Sequence, residues 1–183
     1  MTAQRIHLVG ASGSGTTTLG VALAEHLGCP HFDTDDYFWL PTKPKFEQIR
    51  ERTARQALLG GALERHPAWV LSGSLCGWGD FFVPRFDLVV FCAVPTEVRL
   101  ARLQARERER YGADAIAPGG PRRAKYEAFI AWAASYDAGP AVERSRRMHE
   151  AWLATLPCPV LRLEDTDDVE TRLKTVVARL SQD

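Results

Sequence analysis

Eight consecutive residues near the start of the chain have the types and spacing to hold a phosphate: Gly10-Ala11-Ser12-Gly13-Ser14-Gly15-Thr16-Thr17. They follow a short apolar run, Ile6 to Val9, and open an amphipathic one, Leu19 to Leu27. Between a strand and a helix, such a loop presents successive backbone N–H groups in a concave array. The helix N-terminus adds its partial positive charge. Against the pattern GxxxxGK[ST], Gly10 and Gly15 match, and Thr17 supplies the hydroxyl expected on magnesium. Thr16 stands where the lysine belongs. Three functional readings stay open: a phosphate loop that draws positive charge from elsewhere, a loop that binds nucleotide without chemistry, and a dinucleotide loop. The last wants GxGxxG, and Thr18 takes the place of its final glycine. A purely structural glycine turn is the fourth.

Three more groups could share a site with this loop. Asp33, Asp35 and Asp36 follow the apolar stretch Cys29 to Phe32, at the end of a strand where open α/β sheets bind ligands. Carboxylates there suit a hard cation, or else cap a helix and favour its dipole; Asp36 reads as such a cap. The loop Leu71 to Asp80 begins at another strand end and contains Ser72, Gly73, Ser74 and Trp78. Trp78 is an aromatic wall for a ligand or a core anchor. Arg99, Arg102, Arg106 and Arg110 project within about ±60° of one direction on a helix. From Arg99 to Lys125 there are eight basic residues against three acidic ones, so this face gathers charge for an anion or is simply solvated. The solvated reading fits Arg110.

The elements that must position these groups alternate. Strands are expected at Ile6–Val9, Cys29–Phe32, Trp69–Leu71, Leu88–Cys92 and Val160–Leu163. Helices are expected from Leu19 to Leu27 with Gly28 as C-terminal stop, Phe46 to Leu63, Thr96 to Tyr111 with Thr96 as N-cap, Arg122 to Tyr136, Ala141 to Leu156 and Val169 to Leu180. Strand and helix in this order give an α/β three-layer sandwich with a five-stranded parallel sheet. One domain spans 1–183, with a helical lid or acceptor-covering region over about 107–156. Trp132, Tyr136, Met148 and Trp152 read as core; Arg144, Arg146, Arg147 and His149 face an acceptor or solvent. His7 and His26 read as structural, and Asp87 as a turn residue.

The loop Gly10–Thr17, the run Asp33-Thr34-Asp35-Asp36 and the segment Val94-Pro95-Thr96-Glu97 together resemble the P-loop nucleoside monophosphate kinase and shikimate kinase superfamily. The likeness covers most of residues 4–111 and the final strand and helix. Some archaeal-type cytidylate kinases similarly have Thr in place of the loop lysine. The resemblance implies ATP and Mg2+ as cofactors. Gly10, Ser12, Gly13, Ser14, Gly15, Thr16, Thr17, Thr18 and Arg102 would bind the nucleotide, with Thr17 and Asp33 at the metal. Asp33, Asp35, Arg106 and Arg123 would be catalytic, the arginines replacing the charge that Thr16 cannot supply. Asp35, Gly73, Ser74 and Trp78 would contact the acceptor. The implied activity is ATP-dependent phosphoryl transfer to a nucleoside monophosphate. A shikimate- or gluconate-like hydroxyl compound, or a regulatory module without turnover, is the alternative.

Composition narrows the partners. The 183 residues carry 23 basic and 23 acidic side chains, a net charge of zero, which argues against nucleic acid. Only Lys43, Lys45, Lys125 and Lys174 are lysine; the other 19 basic residues are arginine. That excess is genomic bias or a set of phosphate clamps. No stretch reaches the length of a membrane span, and Ile6–Val9 is too short for a signal peptide core. Cys29, Cys76, Cys92 and Cys158 are scattered, as reduced thiols of a cytoplasmic protein would be. No nucleic acid, membrane or obligate protein partner is expected.

Overall fold

Apolar runs without polar alternation belong in the middle of a parallel sheet, where both faces are covered. β1 (Arg5–Gly10) and β4 (Leu88–Cys92) are such runs, and they pair in parallel, Ile6 opposite Leu88 and Val9 opposite Phe91. β3 (Trp69–Ser72) lies on the other side of β1, with β2 (His31–Asp33) beyond it, and β5 (Val160–Leu163) flanks β4. The five-stranded sheet runs β2-β3-β1-β4-β5, all parallel. The computed structural model describes residues 4–139, 144–164 and 167–182.

The two-residue period of the strands sorts the core into two clusters. Ile6, Leu8, Leu88 and Val90 meet Leu19 and Leu23 of α1 (Thr16–Leu27) and Val176 of α8 (Val169–Leu180). Val9, Leu71, Val89 and Phe91 meet Leu59 and Leu63 of α3 (Arg52–Glu64) and Leu153 of α7 (Arg146–Leu153). The result is the expected three-layer α/β sandwich. No described helix is long and apolar enough to cross a membrane, and all four cysteines are free.

The chain departs from the expected elements in four places. Cys29 does not join β2, because the left-handed Gly28 (φ 64°) turns its N–H back to the Ala24 carbonyl at 3.1 Å. The helix expected from Phe46 starts only at Arg52. Residues 43–48 are a chain of bends, with Phe46 itself at φ 66°, closed by Leu40 N–H to Gln48 O at 2.9 Å and Arg50 N–H to Phe38 O at 2.8 Å. A short α2 (Thr34–Phe38) directly follows β2, capped by the Asp33 carboxylate rather than by Asp36. Of the helix expected over 141–156, the structure shows α7, capped by the Ser145 hydroxyl on Met148 N–H; residues 141–143 lie outside the described residues.

α4 (Thr96–Tyr111), α5 (Ala113–Ile116) and α6 (Arg123–Ala134) complete the chain. Thr96 is the first residue of α4, not its cap; its hydroxyl donates to Asp137 and accepts from Arg99 at 2.8 Å. Arg99 therefore leaves the arginine face. It is fully buried, donates to the Val94 and Ala133 carbonyls and to Asp137, and ties α4 to the end of α6. Asp87 holds Arg5 at 2.8 Å at the opposite end of the sheet from the glycine loop.

Candidate active site

Between β1 and α1 the glycine loop turns twice through backbone that favours glycine, at Gly13 (φ 83°) and Gly15 (φ 85°). Gly13 also packs under α4: a Cβ there would lie 2.7 Å from the Arg99 carbonyl. The loop opens into a cleft of about 940 Å³ at the C-terminal ends of the strands. Ser12, Gly13, Gly15, Thr16, Thr17 and Thr18 line it. Gly10 and Ser14 form the underside of the loop instead. Ser14 is fully buried, its hydroxyl 2.6 Å from where a Gly10 Cβ would sit and without a partner among the described residues.

The one carboxylate of β2, Asp33, reaches the loop directly. Thr17 Oγ1 donates to Asp33 Oδ2 at 2.8 Å, and Asp33 Oδ1 accepts the Asp35 N–H at 2.9 Å. Asp33 Oδ2 also accepts from Ser72 Oγ at 3.3 Å, and Ser72 lies 2.9 Å from His31 Nε2. With the Ser72 proton given to Asp33, His31 Nε2–H is the donor of that last bond. The arrangement suits magnesium held chiefly through phosphate oxygens and water. A hydroxyl and a carboxylate stand side by side, and no cluster of three or more His, Cys, Asp or Glu among the described residues could hold a metal alone.

Asp35 lines the cleft floor. Burial pushes its pKa up, and the neighbouring Asp33 charge pushes the same way, against Arg144 and Arg106. Arg106 is pushed down, first by burial and then by Arg110. Gly73 lines the cleft at φ 103°, and a Cβ there would fall 1.9 Å from Thr34 Oγ1. Arg102 lies beside the loop, its Nη1 3.5 Å from the Gly13 carbonyl.

Besides Gly10 and Ser14, three more expected residues do not line the cleft. Trp78 is a core anchor: it is 4% exposed, donates its indole N–H to Ser74 O at 3.0 Å and carries Arg55 over its ring. Ser74 turns its hydroxyl to His149 Nε2 at 3.2 Å, in a buried relay that continues to Tyr136. Arg123 does not line the cleft; its guanidinium is taken up by Glu127 and the Ile116 carbonyl.

Other residues take their places. Arg144 lines the cleft with its Nη2 3.4 Å from the Gly10 carbonyl, while its buried Nε has no partner among the described residues. Arg122 lines it too, stacked 3.9 Å over Tyr111. Two of the four lysines, Lys45 and Lys125, line the same cleft, and Glu47 from the bent segment pairs with Arg122 and Lys125. Trp39, Phe46, Tyr111 and Phe129 add aromatic walls. None of these forms a spaced motif. The signals in the sequence are the basic excess from Arg99 to Lys125, which holds Arg122 and Lys125, and the basic group from Arg144 to His149, for which facing an acceptor is one of the two readings.

A glycine loop feeding a helix from the central strand of a parallel β2-β3-β1-β4-β5 sheet is the architecture of the P-loop kinase superfamily. The chain belongs to the AAA domain family, whose profile matches residues 6–123. Uncharacterized protein YqaC of Bacillus subtilis is 46% identical over 178 residues, 97% of this chain and 98% of its own length. Shikimate kinase 2 of Escherichia coli is 31% identical over 115 residues, 58% of this chain and 66% of its own. A cytidylate kinase of Archaeoglobus fulgidus is 28% identical over 119 residues, 56% of this chain and 62% of its own. Among solved structures, shikimate kinase of Bacteroides thetaiotaomicron shares the fold with a TM-score of 0.56 at 20% identity, covering 97% of this chain and 98% of that one.

Proposed function

We propose that this chain transfers the γ-phosphoryl group of ATP to a hydroxyl of a small anionic acceptor. The observation that carries this reading is Asp35, a carboxylate held in the cleft beside the Thr17–Asp33 pair and pushed toward its neutral form. A base so placed accepts the proton as the hydroxyl becomes a nucleophile. In the step, Asp35 takes the hydroxyl proton and the acceptor oxygen bonds to the γ-phosphorus. The bond from that phosphorus to the β–γ bridging oxygen breaks, and ADP leaves.

The loop amides from Gly13 to Thr17 cradle the phosphates. Thr17, with Asp33 acting through water, would hold magnesium, whose bound charge neutralises the β- and γ-oxygens. Arg102 lies at the nucleotide side. Arg106 and Arg144 neutralise the transferring group and the acceptor's anion, and Gly73 lets backbone approach the acceptor. α5 and α6, within a covering region of about 107–156, shield the reaction from water in a single domain.

The aromatic walls favour a second reading, a nucleoside monophosphate as acceptor. γ-Labelled ATP with magnesium, offered hydroxy acids, sugar acids, nucleosides and nucleoside monophosphates, separates the two. Label in a phosphate ester of a hydroxyl supports the first. Label in a nucleoside diphosphate moves the assignment to the second, and no transfer to any acceptor contradicts both.

A further inference from the structure

The loop lacks its lysine, and of the two arginines expected to replace its charge, Arg106 lines the cleft and Arg123 does not. A different cation reaches the loop from the last helix. Arg172, in the first turn of α8, is 3% exposed and donates from Nη1 to the Ser14 carbonyl at 3.0 Å. A Cβ placed at Gly15 would lie 3.8 Å from Arg172 Nη1 and 3.9 Å from Arg102 Nη1. Two guanidinium groups from separate helices thus converge on the loop at Gly15.

The chemistry of this contact is directional. The peptide unit that carries the Ser14 carbonyl also carries the Gly15 N–H, on the side that faces the cleft. A cation bonded to the carbonyl withdraws electron density from the peptide and makes its N–H a stronger donor. Arg102 adds a second positive charge beside the loop, its Nη1 3.5 Å from the Gly13 carbonyl, but the Ser14 N–H of that peptide already donates to the Ala11 carbonyl at 3.1 Å. A buried guanidinium held by backbone is in place before any nucleotide arrives, so its field needs no reorganisation when phosphate binds. We infer that Arg172, assisted by Arg102, supplies the positive charge that Thr16 cannot, acting through the backbone of the phosphate loop. Arg172 is a positioning and polarising residue; it does not touch the nucleotide. The inference rests on the loop binding ATP, and does not depend on which acceptor is phosphorylated.

The test is a double-mutant cycle on Mg-ATP affinity, measured by titration calorimetry on the full chain. Arg172→Met is expected to weaken Mg-ATP binding roughly tenfold to a hundredfold, the scale of one charge-assisted hydrogen bond. In a Thr16→Lys background the same change is expected to lose no more than about threefold, because the lysine restores the charge from inside the loop. Arg172→Gln keeps a donor for the Ser14 carbonyl and drops the charge, so it carries the cycle if the methionine variant does not fold. A melting temperature without nucleotide accompanies each variant. A merely structural role predicts a loss of affinity that Thr16→Lys leaves unrepaired, which overturns the inference. Unchanged affinity in Arg172→Gln and Arg172→Met overturns it too, while leaving the kinase reading intact. Normal Mg-ATP binding with the expected cycle, but transfer to no acceptor, upholds the inference and ends the kinase reading.

Discussion

At Gly73 two independent constraints meet. Its φ of 103° lies where side chains are strained, and a Cβ would sit 1.9 Å from the hydroxyl of the buried Thr34. Gly73→Ala is therefore expected to destabilise the fold by roughly 2–4 kcal/mol, read as a lowered denaturant midpoint. An unchanged midpoint would show that Thr34 and the loop yield freely. Gly73, the glycine loop, Asp33 and Asp35 are legible because each sits at or just beyond the C-terminal end of a strand, where local sequence decides position. Trp78 and Ser74 share that loop, yet their side chains turn inward to Arg55 and His149, partners set by distant elements. Arg144 and Arg172 reach the loop only through tertiary packing, so no spacing announces them.

On the scale of elements, the segment between α2 and α3 is fastened across the cleft to α6. Glu47 pairs with Arg122 and Lys125, and Arg110 lies 4.8 Å over the Phe46 ring. Those cations are the same ones a phosphate entering the cleft would meet. Glu47 is a competing counter-ion in the ligand-free chain, and Lys125 and Arg122 hold its pKa below the ordinary carboxylate value. Glu47→Gln is expected to tighten Mg-ATP or acceptor binding, by no more than severalfold because the pair is partly solvated. Weaker binding of both ligands by that variant would show that the fastening organises the cleft instead of guarding it. The five strands and the order of the layers were readable from apolar runs and helical periods. The bent segment was misread as helix: it has helical spacing in Ile49, Thr53 and Ala57, but Phe46 at positive φ and the backbone bonds to Phe38 and Leu40 fold it back.

For the molecule as a whole, the zero net charge is a sum over unlike parts, with five of the 19 arginines and two of the four lysines lining one cleft. Its stability has a pH dependence of definite sign. Burial lowers the pKa of His7 from 6.5 to about 4 and that of His149 from 6.5 to about 3. Above pH 6.5 neither the folded nor the unfolded chain protonates these rings. Below it the unfolded chain takes up protons that the folded chain refuses, so stability falls as pH drops from 6.5 toward 4, by on the order of 3 kcal/mol per histidine. Asp35, shifted upward, opposes this weakly. Melting temperature is expected to fall between pH 6.5 and 5, and His149→Gln to flatten that slope; a flat wild-type curve there would mean that the buried rings are charged. Catalysis has its own pH dependence, set by Asp35. Its ionised form is the base, so log(kcat/KM) for transfer from ATP should rise with pH through a midpoint above the ordinary aspartate value of about 3.9. The most direct measurement is that pH–rate profile for the wild type and Asp35→Asn on an acceptor found with labelled ATP. For Asp35→Asn, kcat/KM is expected to drop by roughly a hundredfold or more, with Mg-ATP affinity retained and the acid limb gone. A variant with near wild-type turnover and the same acid limb would contradict this role for Asp35.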